Sequence, residues 1–333
     1  MTEKKTAQNQ EPATVSHKFD TALERVKHQL SHLLKNTPPM VRVYTRHLAL
    51  SQGKMLRSRG LLACAMDREN RISENAVRVS VGIELLHLAT LVHDDVIDNA
   101  SVRRGIPTVQ KKFGKRSAVI CGDYLLCMAM KCFSQVTERE TYIGLSFPDY
   151  ISRLCGGELL QQENGWNADI SPGTCLRIAR GKTAALFEGA FRAGAILSDQ
   201  TESQSAKYAR LGRYTGMIFQ LTDDCLDYVS DESKIKKPVR SDYEQGVFTL
   251  PLVYALKHYP QVKQQINKKP PAKEEIQELV KQCQGVEYTR GICELYYRKA
   301  RNLLAELDIT EEKRRYILQL VNQSYYGILG KEG

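Results

Sequence analysis

The chain has 333 residues, 42% of them hydrophobic, and a formal charge of +10, enough to bury a sizeable core in one large domain or two. Mean hydropathy is −0.39 and no unbroken apolar run reaches about 18 residues, so no membrane-spanning helix is expected. The basic residues are spread out and show no zinc-finger, RNP or basic-zipper pattern, which argues against nucleic acid as a partner. Nine cysteines, an odd number with no CxxC pair, read as buried reduced thiols of a cytoplasmic protein.

Residues 1–17 are polar, lack the apolar stretch of a secretory signal, and read as a disordered tail ahead of a single all-α domain at 18–333. Helical periodicity then dominates, with expected helices at about 18–36, 38–50, 54–67, 74–98, 115–136, 146–164, 174–197, 203–230, 247–259, 273–283, 287–306 and 311–327. Proline and glycine clusters such as NTPPM, RRGIPT, SPGT and KKPP separate many of them. Alternating strand patterns are nearly absent.

The third helix opens on GKMLRSR, where Lys54 and Arg57 are three apart and are expected on one helix face. The fourth ends in LATLVHDDVIDN, with Asp94, Asp95 and Asp98 crowded onto its last turn. Like charges so placed destabilise a helix by about 0.2–0.5 kcal/mol per pair, so an external cation or a solvated end has to offset them. Arg103 and Arg104 follow in RRGIPT, and Lys182 and Thr183 lie in the apolar GKTAALF. No strand or earlier glycine makes that GKT a Walker A loop. The DDxxD spacing returns in FQLTDDCLDY as Asp223, Asp224 and Asp227. Two facing carboxylate clusters suit hard cations such as Mg²⁺, which take oxygen ligands, water and substrate phosphates. The nearby Arg and Lys suit those phosphates.

The motifs GKMLR, ELLHLATLVHDDVIDNASVRRGIPT, GDYLL, GGELLQ, GKTAALF, FQLTDDCLDY and KKPVRSDYEQGVFTLPLVYAL, in that order, resemble those of the trans-isoprenyl diphosphate synthases of the polyprenyl synthetase family. The resemblance is nearest to the long-chain (hepta- and octaprenyl-type) members. It implies an all-α bundle around a deep central cleft and head-to-tail condensation of isopentenyl diphosphate with an allylic diphosphate. It further implies several Mg²⁺ ions on Asp94, Asp98 and Asp223, with Asp95, Asp224 and Asp227 assisting. Lys54, Arg57, His87 and Arg104 would hold isopentenyl diphosphate. Arg103, Lys182 and Lys237 would contact the allylic diphosphate, and Thr183 and Gln220 would sit beside the developing cation. His93 receives no role. A homodimer is implied, with a heterodimer as the alternative, and a long apolar product makes transient membrane contact plausible.

The chain departs from the family pattern at several points. Gln52 stands for a glycine, Ser58 for a proline, Lys236 and Arg240 for two glycines of GKPxGxD, and Val247 for a lysine. The helix before the first aspartates would wall the product tunnel. Its residues Ala89 and Thr90, where short-chain members carry an aromatic, are small, which points to a product of C30 or longer. Met128, Cys132 and Phe133 are candidates for the tunnel floor. A farnesyl or geranylgeranyl synthase is the stronger rival. A terpene cyclase is disfavoured by the second aspartate triplet, and a non-catalytic subunit by the presence of both triplets.

Overall fold

The computed structural model describes residues 16–50, 53–136, 139–198, 200–229, 242–268 and 270–326. In chain order its helices are α1 (Phe19–Lys35), α2 (Pro39–Leu48), α3 (Leu56–Cys64), α4 (Glu74–Ile97), α5 (Val109–Phe113), α6 (Lys115–Ser134), α7 (Arg139–Leu145) and α8 (Phe147–Glu163). Then follow α9 (Pro172–Ala179), a π-helical turn (Arg180–Ala184), α10 (Ala185–Ile196), α11 (Glu202–Val229) and a 3₁₀ turn (Tyr243–Gln245). The last five are α12 (Leu250–His258), α13 (Pro260–Lys268), α14 (Lys273–Gln282), α15 (Gly285–Ala305) and α16 (Glu311–Tyr326). Two two-residue antiparallel ladders accompany them: β1 (Ser16–His17) with β2 (Ile72–Ser73), and β3 (Val102–Arg103) with β4 (Ile106–Pro107).

α4 lies at the centre because apolar residues run all round it, interrupted by Arg78, Glu84 and His87 before the aspartates of its last turn. It packs mainly on α6, with α1 and α3 against its other faces, and Val77, Val81, Ile83, Leu85 and Leu86 are fully enclosed. The Ser73 hydroxyl accepts the Ala76 N–H at 3.3 Å and caps its start. By length and composition both α4 and α6 could cross a bilayer, which the run-length expectation did not foresee. In this fold 67% of the apolar window of α4 is buried, as a core helix requires, against 39% for α6.

Most expected helices end within a few residues of the observed ones; two depart from expectation, and three further helices were not expected. The stretch 174–197 is broken by the π turn. α3 begins at Leu56, because Met55 is left-handed (φ 52°), so Lys54 precedes the helix and does not share a helix face with Arg57. α5, α7 and α13 were not expected: two are shorter than two full turns, and α13 is polar apart from Val262 and Ile266. Residues 1–15 of the expected tail, with Gln52, Lys236, Lys237 and Arg240, lie outside the described residues, whereas Ser16 and His17 pair with β2.

One buried charge sets a stability prediction. Lys313 is 2% exposed, donates to the Met66 carbonyl at 2.8 Å and lies 5.0 Å from the centre of the Tyr208 ring. Burial pulls its pKa from 10.5 down to about 8. The unfolded chain therefore binds the proton more tightly, and stability rises as pH climbs from about 8 to about 10.5. Below pH 8 the full penalty, about 3 kcal/mol at 1.36 kcal/mol per pH unit, is present. Lys313→Met is expected to stabilise the protein by roughly 1–3 kcal/mol at pH 7, the gain shrinking towards pH 10. Urea unfolding of both proteins at the two pH values checks it, and a destabilised variant at pH 7 contradicts it.

Candidate active site

Three elements meet below the C-terminal end of α4. A close backbone contact brings α8 and the π turn together: a Cβ on Gly157 would stand 2.7 Å from the Gly181 carbonyl carbon, and one on Gly181 would stand 2.9 Å from the Arg153 carbonyl oxygen. Only glycine fits either position. This contact seats Glu158 of α8 beside Lys182, with Nζ to Oε2 at 2.7 Å. Burial works against the Lys182 charge, but Glu158, then Asp94 and Asp98, outweigh it and hold the pKa above its ordinary value.

The first aspartate cluster divides. Asp94 and Asp98 look toward Lys182 and Glu158, and Asp98 also closes α4 through its N–H on the Asp94 carbonyl at 2.8 Å. Burial, with Glu158 and Asp98 adding repulsion and Lys182 opposing, pushes Asp94 up to about 6. Asp98 is raised for the same reasons. The negative end of the α4 dipole adds to this cost. Asp95 turns the other way, is 4% exposed, and accepts from Arg103 Nε at 2.7 Å.

The second cluster, on α11, divides in the same way. Asp223 is exposed. Asp224 is buried and accepts from Gln220 Nε2 at 2.7 Å, while Gln220 Oε1 accepts from the Thr183 hydroxyl at 2.6 Å. Burial, and then Asp242, raise Asp224 far above the carboxylate range. Asp227 accepts the Asp242 N–H at 2.9 Å. Asp242 ties the two clusters together. Burial first, then Asp227 and Asp223, push it up to about 7; Lys182 opposes this and Asp98 adds to it. So Asp94, Asp98 and Asp242 all act on one lysine, and Asp242 in turn meets Asp223 and Asp227. Sequence reasoning missed Glu158 and Asp242 as site residues, although both stand in motifs it quoted, GGELLQ and KKPVRSD.

The carboxylates outnumber the cation, and burial raises their pKa values, so the cleft suits added positive charge. Among the described residues no three His, Cys, Asp or Glu side chains are placed to hold an ion alone.

A second group of cations lies further down α4, where His87 stands seven residues, two turns, before Asp94. Arg57 is half-buried, with its guanidinium 4.7 Å from the centre of the Phe187 ring, and Nη1 donates to His87 Nε2 at 3.2 Å. Arg57 Nε is buried with no hydrogen-bond partner, and leaving such a donor unmet costs about 1–3 kcal/mol. Burial lowers Arg57 to about 10, with Glu84 opposing and Arg104 assisting. Burial, then Arg57, Arg104 and Arg103, hold His87 far below its ordinary value, so it is neutral and accepts. Arg104 and Gly105 have positive φ (51° and 80°) and form the two-residue turn between β3 and β4. A Cβ on Gly53 would meet Arg104 Nη2 at 2.7 Å, so the guanidinium lies on that backbone. His87, Arg104 and Gly53 line a narrow cavity with Glu84, whose carboxylate accepts from Ser58 Oγ at 2.7 Å. Ser58, where the family has proline, thus fastens α3 to α4. Lys54 is exposed. His93 packs against Gly122 of α6 and lies 3.3 Å from Asp123, a contact between helices.

Comparison with known proteins identifies the fold and the family. Residues 38–284 match the polyprenyl synthetase family model. The heptaprenyl diphosphate synthase component 2 of Bacillus subtilis (strain 168) is 34% identical over 283 residues, covering 84% of this chain and 80% of the relative. The heptaprenyl diphosphate synthase of Staphylococcus aureus superposes with a TM-score of 0.83 at 29% identity, covering 94% of this chain and 99% of that one. A geranylgeranyl pyrophosphate synthase from Corynebacterium glutamicum, complexed with calcium and isoprenyl diphosphate, superposes with a TM-score of 0.77 at 25% identity, covering 93% and 96%. With its paired aspartate clusters, central lysine and separate arginine–histidine pocket, the chain belongs to the polyprenyl synthetase family, whose members use divalent metal ions, and is a prenyltransferase, a trans-prenyl diphosphate synthase.

Proposed function

We propose that the chain condenses isopentenyl diphosphate head to tail with an allylic diphosphate, in the presence of Mg²⁺, to an all-trans polyprenyl diphosphate of C30 or longer. Asp94, Asp98 and Asp223 would hold several Mg²⁺ ions around the allylic diphosphate, with Asp227 assisting. Asp95 and Asp224 support them by fixing Arg103 and Gln220. Bound Mg²⁺ supplies charge neutralisation for the leaving diphosphate. Lys182, with Arg103 and Lys237, stabilises the same developing charge. Thr183 and Gln220 place oxygen dipoles beside the allylic cation. Arg57, His87, Arg104 and Lys54 hold isopentenyl diphosphate, whose double bond attacks the cation. The proton lost from the adduct goes to the departing diphosphate, so no enzymic base is needed. Neutral His87 suits this assignment, because it binds and orients without transferring a proton.

The observation that carries the chain-length reading is the small-residue wall of α4. Thr90 lies one turn below Asp94 with its hydroxyl turned back to the His87 carbonyl at 2.9 Å, and Ala89 is buried. Two turns below Ala89 comes Gly82, where a Cβ would stand 2.8 Å from Phe133 Cδ1. Phe133 is 1% exposed and stacks on Phe147 with ring centroids 4.0 Å apart. The floor is therefore assigned to Phe133. Met128 and Cys132 line a cavity between α1, α4 and α6.

Ala89→Tyr is expected to shorten the product to C20 or below, and Phe133→Leu to lengthen it by at least one isoprene unit, read by product chromatography. Phe133→Ala is avoided because it removes about 3–5 kcal/mol of core packing. Unchanged products from both variants would sink the tunnel assignment. The deciding experiment incubates the purified chain with Mg²⁺, labelled isopentenyl diphosphate and farnesyl diphosphate. A ladder to C30 or beyond supports a self-sufficient homodimer, and a stop at C15 or C20 refutes the long-chain reading. No turnover would favour the second reading, a catalytic subunit that needs another chain, which the "component 2" name of the B. subtilis relative brings forward. The nine unpaired cysteines support a reducing compartment such as the cytoplasm, with transient membrane contact for product release.

A further inference from the structure

A cavity of about 820 Å³ opens between α1, α4 and α6, on the side of α4 opposite Asp94. Its size is that of a small-molecule site, about 300–1,000 Å³, and nothing in the condensation reaction uses it. The lining has two levels. At the mouth stand His28, His32 and Lys131, all exposed, together with the exposed thiol of Cys127. His28 and His32 are one turn apart on α1, with rings tilted 22° and 6.5 Å between centroids. At the floor lie Val81 and Cys132, both buried, and the half-buried Leu33 and Met128.

Arg78 sits between the two levels. Its Nη1 donates to Asn75 Oδ1 at 3.1 Å and to the Gln135 carbonyl at 3.0 Å, which fixes the guanidinium and leaves Nη2 and Nε without a partner among the described residues. Arg78 and Lys131 both act on the Cys132 thiol from above. Among the described lining residues there is no carboxylate. The acids of these helices near the lining are engaged elsewhere: Glu74 by His17, Arg25 and Gln29, Glu24 by Lys27, and Asp123 lies 3.3 Å from His93. Cationic and N–H donors thus surround the entrance of a pocket with an apolar bottom.

We infer that this cavity is a binding site for a single-chain amphiphile with a phosphate or diphosphate head, distinct from the catalytic cleft. The head pairs with Lys131, Arg78 and the two histidines at the mouth, where phosphate oxygens meet both charge and N–H donors. The chain lies on Leu33, Val81, Met128 and Cys132. A purely apolar occupant would leave the cations facing hydrocarbon, and a bare anion would leave the floor unfilled. Either a free prenyl-type phosphate or a membrane lipid headgroup offers this chemistry, and a volume of about 820 Å³, within the range of small-molecule sites, favours a free amphiphile with one chain.

Two exposed cysteines give the test on the intact chain. Cys127 stands at the mouth, and Cys155, exposed on α8 outside the cavity, serves as the internal reference. The probe is dodecyl phosphate. At saturation it is expected to slow alkylation of Cys127 by about tenfold or more, with Cys155 unchanged. The double variant His32→Glu/Lys131→Glu is expected to lose that protection, as is Met128→Trp, which fills the floor without touching the head site. Both variants are first checked for an unchanged circular-dichroism melt. Equal protection by dodecyl maltoside would reduce the site to an apolar groove, and equal protection by inorganic phosphate would reduce it to a surface ion site. Protection only from phosphatidate vesicles would mean a membrane-docking face. Cys127 that is unreactive without any ligand, and becomes reactive on dilution, would mean that a second chain covers the mouth. Each of these four results overturns the inference.

Discussion

Lys182→Met is expected to lower kcat by about 10²–10³, the loss typical of one preorganised electrostatic contact to developing charge, while KM for either substrate changes much less. Lys182 is the cation that Asp94, Asp98 and Asp242 share, and Glu158 holds its Nζ at 2.7 Å. Its pKa stays above the ordinary value despite burial, so the charge is present throughout the working pH range. An ammonium held in place before the reaction costs no reorganisation when the allylic C–O bond breaks and negative charge moves onto the diphosphate. Glu158→Gln keeps the ammonium but loosens its tether, and is expected to cost tenfold or less. If Lys182→Met costs less than tenfold while Glu158→Gln costs more, then Lys182 is only the counter-ion of Glu158.

The aspartate clusters were legible because a DDxxD spacing at the end of an apolar helix contradicts local helix energetics, and it does so twice. The arginine pair was legible by proximity to those clusters, and His87 came from the family resemblance. The contacts that divide each cluster were not. Nothing in the spacing says that Asp95 turns to Arg103, or that Asp224 turns to Gln220, because one turn of helix spreads neighbouring side chains over a wide arc. Glu158 was hidden for a related reason. Its role depends on Gly157 and Gly181 letting two backbones touch, a contact between segments 24 residues apart in the chain (181 minus 157). The π turn that presents Lys182 leaves no trace in a 3.6-residue periodicity. The expected shared helix face of Lys54 and Arg57 failed for the opposite reason: the helical pattern ran through Lys54, but left-handed Met55 starts α3 two residues later, at Leu56. The overall helical architecture was legible because the apolar stripes are long. The exceptions, α5, α7 and α13, are short or polar and exist through their neighbours.

Asp94→Asn and Asp223→Asn are each expected to lower kcat by about 10²–10³ and to raise the Mg²⁺ concentration needed for half-maximal rate. The double variant should cost little more than either single one, because residues that hold one group together act as a unit. Asp224→Asn should cost less, since its carboxylate is already spent on Gln220. Asp94→Asn carries a second, opposite consequence. Burial lifts Asp94 from 3.8 to about 6, so the folded state holds its proton more tightly than the unfolded chain. Stability therefore falls as pH rises through that window, and by pH 7 the metal-free fold carries a penalty of up to about 3 kcal/mol. The asparagine variant is expected to recover roughly 1–3 kcal/mol of it in chelator-treated protein, as a higher urea midpoint. A residue kept for packing alone would lose stability on the same change. Isopentenyl diphosphate binding, measured by calorimetry without metal, should be unaffected, because Arg57, His87 and Arg104 form a pocket separate from the aspartates. A variant that is both less stable and less active would assign Asp94 to the architecture of α4. A variant that is more stable and nearly inactive would show that the crowded carboxylates are retained at the expense of the fold, for the charge they bind.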